Sequence, residues 1–216
     1  MNQEMYGRIT SGLSEISLRA SGIGDLVTRF SKLGSGLFPC PIWKSLEEIE
    51  IDCTAEYRAA SAWIDKMMEY VPDDSAVNCL AFRLYELDSY RLAFMFTSNF
   101  DVASEDYCEY VYGGPSQAEE FRSDALDRIY AVGKLPREWH GDRTLAGYCV
   151  DALAYEIANT IIAAACKEIP ANRLLGPSRG RYVVVGSEEP TLLGAVTAKG
   201  WIRHDPATPA ADFKIA

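Results

Sequence analysis

The chain has 216 residues, 48% of them hydrophobic, and a net charge of −10 at pH 7. That length and apolar content exclude a disordered chain and permit one large domain or one and a half small ones, with a core that buries roughly 70% of the unfolded surface. The charge is concentrated: residues 45–127 carry nineteen acidic and five basic side chains, a net of −14, whereas 1–44 and 128–216 are each +2. Such a field repels nucleic acid and anionic membrane and steers a basic partner inward.

In chain order, the first elements are weakly patterned. Residues 1–37 form a Ser/Gly-rich N-terminal segment, read as an arm or an irregular layer. Within it, 25–33 suits a short helix with Leu26, Val27, Phe30 and Leu33 on one face, closed by Gly34-Ser35-Gly36. Pro39 and Pro41 mark a break. Residues 38–202 are then expected to be a single α+β domain, and 203–216, with its prolines and alanines, a loose C-terminal tail. Residues 43–51 alternate loosely and suit a strand or a helical lead-in. Residues 54–70 read as a helix, with Thr54 as N-cap and Glu56 in the first turn. Tyr57, Ala60, Ile64, Met67 and Met68 recur there at helical spacing until Pro72-Asp73-Asp74 stops them.

Strand signals follow. Residues 77–86 and 90–98 alternate around Leu87-Asp88-Ser89, a loop short enough for a hairpin. A third strand is expected at 107–112, closed by Gly113-Gly114-Pro115. Residues 118–132 read as a helix, 135–143 as a loop, and 144–169 as the longest helix, ended by Pro170. Residues 181–186 and 192–197 make a second hairpin around Ser187-Glu188-Glu189-Pro190. Grouped elements with short connections predict an α+β fold: an antiparallel sheet of four to five strands built from two hairpins, with helices packed on at least one face.

The chemistry-bearing residues are sparse. Cys40, Cys53, Cys79, Cys108, Cys149 and Cys166 form no C-x-x-C pair, and His140 and His204 are far apart, so buried free thiols are expected and no metal or other cofactor. There is no phosphate loop, nucleophile elbow or H-E-x-x-H motif. Glu138, His140 and Asp142 share one loop and suit acid–base chemistry, which keeps a hydrolase or other enzyme with dispersed carboxylates as the alternative reading. No stretch reaches the ~20 apolar residues of a membrane span. The start, MNQEMYGRIT, lacks the basic and apolar regions of a secretory signal, so a cytoplasmic location is expected.

The acidic segment is also aromatic. Asp101, Glu105, Asp106 and Glu109 interleave with Phe100, Tyr107, Tyr110 and Tyr112. Tyrosine gives rigid amphipathic contact area and carboxylates pair with Arg and Lys, as on a surface built for a basic protein. An edge strand with its tyrosines on the core side fits the same pattern.

The stretch LAFRLYE, a short turn, YRLAFMF, S-N-F-D and then D-Y-C-E-Y-V-Y resembles the immunity proteins of bacterial polymorphic-toxin and contact-dependent-inhibition systems. In that family an F-x-L-Y-E strand and a second strand precede an acidic loop and a D-W-A-C-E-x-V-like segment. Here Asp106-Tyr107-Cys108-Glu109 takes that place, with Tyr107 where tryptophan is usual and one residue fewer before the acid. The resemblance covers about half the chain and leaves out the first forty residues.

The resemblance implies stoichiometric inhibition by a non-enzyme. The partner would be a cognate basic toxin, small nucleases being one such class. Asp101, Glu105, Asp106, Tyr107, Glu109, Tyr110 and Tyr112 would form the contact surface, joined by Glu86 and Asp88 in the hairpin turn. Neither nucleic acid nor membrane is an expected partner, and the oligomeric state stays open. An acidic secretion chaperone or accessory subunit is the remaining reading.

Overall fold

The computed structural model describes residues 3–103, 120–134, 143–186 and 191–215. Among them the helices are α1 (Gln3–Arg19), α2 (Ile23–Leu37), α3 (Pro41–Glu47), α4 (Cys53–Met67), α5 (Asp124–Gly133), α6 (Arg143–Glu168) and α7 (Ala171–Leu175). The strands are β1 (Cys79–Glu86), β2 (Tyr90–Thr97), β3 (Gly180–Gly186), β4 (Thr191–Thr197) and β5 (Gly200–Arg203). They form one sheet in the order β2-β1-β3-β4-β5. The fold is α+β, and the sheet is antiparallel except where β1 runs parallel to β3. Two compact units divide the chain. A helical unit takes Met1–Glu56, Glu86–Tyr90 and Arg122–Ile161; a sheet unit takes Tyr57–Tyr85, Arg91–Phe121 and Ile162–Ala216.

In the helical unit the Ser/Gly-rich start, read as an arm or irregular layer with a short helix over 25–33, forms two helices over residues 3–37, the second containing the expected one and running through Gly34-Ser35-Gly36 to Leu37. Small residues are used there for close approach. A Cβ on Gly12 would stand 2.5 Å from Leu33, and one on Gly34 would stand 2.6 Å from the Trp43 indole. Ile9, Leu13, Ile23, Leu26 and Phe30 are buried. Residues 41–47 form a helix, resolving the strand-or-lead-in alternative: Pro41 opens α3, a position where its missing N–H costs nothing. Trp43 anchors it, its Nε1 donating to Phe38 O at 2.9 Å.

The helix expected over 118–132 begins at Asp124, because Ser123 caps it and accepts from Leu126 N. Glu56 completes that cap. Its Oε2 accepts from the Ser123 hydroxyl at 2.8 Å and its Oε1 from Ala125 N at 3.0 Å. A carboxylate thereby satisfies the orphan donors at the positive end of α5. Thr54 is not a cap: α4 starts one residue earlier, and Asp52 Oδ1 accepts from Ala55 N at 3.0 Å.

In the sheet unit, β1 is buried on both faces. On one, Trp63 of α4 lies 5.9 Å from Phe82 and 5.3 Å from Phe121, ring centre to ring centre. On the other, Cys79, Ala81, Val184 and Leu192 pack with Phe100 and are covered by Phe213. Phe121, expected inside a helix, bridges Leu92 on β2 instead. Buried Arg181 donates to Val77 O at 3.2 Å and Leu174 O at 2.9 Å.

Over its described residues, 203–215, the stretch expected to be a loose tail packs at several points. Arg203 ends β5, His204 is buried with its Nε2 2.9 Å from Thr208 O, and Phe213 packs on Tyr182. Gly194 makes room for β5: a Cβ there would stand 2.3 Å from Ile202 O and 2.7 Å from the Trp201 ring.

Within α6, Gly147–Glu168 is long and apolar enough to cross a membrane by length and composition, and 56% of its most apolar window is buried inside the fold. The core helix of a globular fold meets the same criteria of length and composition. The strand expected at 107–112 and the loop residues 135–142 lie outside the described residues.

Candidate partner-binding surface

The turn between β1 and β2 belongs to the helical unit and is tied down by its own side chains. Glu86 Oε1 accepts from Lys134 Nζ at 2.8 Å. The Ser89 hydroxyl donates to Asp127 and the Tyr90 hydroxyl donates to Asp151. Lys134 Nζ also sits 4.7 Å from the centre of the Tyr130 ring, and Tyr130 meets Tyr90 edge to face at 5.3 Å. Asp127 and Tyr130 share one face of α5, and Lys134, the residue capping its C-terminal end, continues that row because helical side chains three or four apart align. The same spacing on α6 places Tyr148 beside Asp151, and Tyr148 meets Tyr6 of α1 at 5.9 Å.

Burial holds the Asp151 carboxyl above its ordinary range, and the negative charge of Glu86 adds to this. The Tyr90 hydroxyl and the Lys134 ammonium pull it back. Burial, then the hydrogen bond to Asp151, pushes the Tyr90 phenol far up, and burial raises Tyr6 as well. These phenols stay protonated and serve as donors and aromatic faces. One carboxylate oxygen and one ring close on the Lys134 ammonium, which is a cation-holding arrangement.

The expected contact residues divide three ways. Glu86 and Asp88 are exposed at the hairpin turn, with Leu87 between them 63% exposed. Asp101 is exposed just after β2 in the sheet unit, where its Oδ1 accepts from Ala103 N at 2.9 Å in an Asx turn. Glu105, Asp106, Tyr107, Glu109, Tyr110 and Tyr112 lie outside the described residues, as do Glu138, His140 and Asp142. Sequence reasoning missed Tyr90, Tyr130, Lys134 and Asp151 as a group. One signal was there: Asp151 is the sole charged residue between 147 and 155, in an otherwise apolar stretch of helix.

The described cysteines are free thiols. Burial pushes Cys149 and Cys166 up to about 12, so both are held as inert thiols rather than thiolates. No cluster of metal-ligating side chains occurs among the described residues. Comparison of the chain with protein-family models, curated proteins and solved structures finds no match.

Proposed function

We propose that the protein is a cytoplasmic immunity protein that binds and neutralises a cognate basic bacterial toxin, with no catalytic activity of its own. The observation that carries this reading is the placement of the acidic side chains of 45–127. Among those described, Glu56 alone is buried, and it is consumed as the cap of α5. The other described acids meet solvent or lie at its edge, where they steer a cationic partner and speed capture. Asp101, Glu105, Asp106, Tyr107, Glu109, Tyr110 and Tyr112 are the proposed contact surface, with Glu86 and Asp88 as further contact residues.

Capture of the tagged protein from its native host at low salt, followed by a salt gradient, tests this. The expected result is one basic protein in a one-to-one complex that weakens as salt rises. Joint replacement of Glu105, Asp106 and Glu109 by Lys is expected to weaken that complex by more than about a hundredfold while the thermal melt stays in place. A triple variant that still neutralises the captured protein, or no partner at low salt, overturns the reading.

A further inference from the structure

We propose that Glu86, Tyr90, Tyr130, Lys134 and Asp151, bordered by Tyr6 and Tyr148, form a seat for the guanidinium group of a partner's arginine, which Lys134 occupies in the free protein. The proposal rests on the reading above for the partner's basic character, but it assigns recognition to residues outside 101–112.

The seat already holds a cation. Lys134 Nζ bonds Glu86 at 2.8 Å and stands 4.7 Å from the Tyr130 ring centre. Both partners of that ion pair are about half exposed, 54% for Lys134 and 46% for Glu86. Exposed pairs of this kind are held weakly, so Lys134 is displaceable. A guanidinium fits the same place better, because its planar fork matches a carboxylate and stacks on an aromatic face where an ammonium is only a point charge.

The charge balance of the seat calls for a cation: Glu86 bonds the Lys134 ammonium, and the Asp151 carboxyl lies within electrostatic reach of both. The frame is built in advance: Tyr90 is fixed to Asp151 and Ser89 to Asp127, so little has to be ordered on binding. Tyr148, 45% exposed and edge-on to Tyr6, offers a further ring at the border.

A partner is not needed for the test. The full-length protein is titrated with N-acetyl-arginine methylamide, and separately with the citrulline analogue, which has the same shape and no charge. NMR signals of the Tyr130 ring and the Lys134 side chain report binding. The arginine probe is expected to give saturable shifts and the citrulline probe none. Glu86→Gln is expected to weaken arginine binding about fivefold, and Lys134→Ala, which empties the seat, to strengthen it about fivefold. Equal responses to the two probes overturn the proposal. So does a Lys134→Ala variant that binds no tighter, the result expected if Lys134 merely braces the turn. An arginine-blind seat in a protein that still captures a basic partner sinks the seat alone. An arginine-responsive seat without any captured partner supports the seat and counts against the immunity reading.

Discussion

The helical unit and the sheet unit are held together by different means. In the helical unit, side chains far apart in sequence are joined through carboxylates: Ser17 to Glu156 at 2.5 Å, Ser123 and Ala125 to Glu56, Ser89 to Asp127, Tyr90 to Asp151. In the sheet unit the interior is joined by rings around Trp63, Phe82, Phe94 and Phe121, and its long-range carboxylate joints, Arg173 to Asp65 at 2.6 Å and Ser61 to Glu168 at 3.1 Å, lie exposed. Buried Arg181 there is satisfied by carbonyls. Carboxylates therefore join buried or half-buried side chains in the helical unit, whereas the interior of the sheet unit depends on filled volume. The first should respond to charge and pH, the second to side-chain size.

The largest expected effect lies in the sheet unit. Phe82→Ala empties the space between Trp63 and Phe94 and should cost about 3–5 kcal/mol in denaturant unfolding. That cost should be the same at pH 5 and pH 7, since no titrating group is lost; a strong pH dependence would blur the contrast between the units. Next comes Glu56→Ala, which leaves Ala125 N–H without its acceptor and removes half of the α5 cap. About 2–3 kcal/mol is expected, with hydrogen-exchange protection lost first at Ala125 and Leu126. The smallest effect sharpens the contrast through its sign. Asp151 has its folded-state pKa raised above 3.8, so its ionised form carries a cost that is absent below that pH and grows as pH rises through the folded value. Asp151→Asn keeps an acceptor for Tyr90 and removes the ionisation. Urea melts should show the variant gaining on the native protein between pH 3.5 and pH 7, and a gain in the opposite direction would contradict the desolvation argument.

What was legible in the sequence was local. The alternation in 77–86 and 90–98 and the stripe through Ile64 and Met67 report on residues two to four apart, and those elements formed. The first helix was hidden by its serines and glycines, and the use of Gly12 becomes visible only when Leu33 presses against it. β5 was hidden by the short G-W-I-R run, and its pairing depends on a bare Gly194 on the neighbouring strand. The parallel contact of β1 with β3 has no local signature at all. The candidate site follows the same rule. Glu86 and Asp88 were readable as acids in a turn, but the group around Asp151 was not, because its hydroxyl donor, Tyr90, lies 61 residues away in the chain.

The pairing of β1 with β3 also sets a schedule for synthesis. Cys79 pairs with Tyr182, and Phe82 with Val185, across about a hundred residues of chain. At about 5–20 residues per second on the ribosome, the β1–β2 hairpin waits about 5–20 s for its neighbour. A lone two-stranded hairpin is marginal in water, and an open strand edge rich in Leu and Phe is a template for wrong pairing. The newborn protein therefore passes through an interval in which the inner edge of β1 has to be shielded by something other than its final partner.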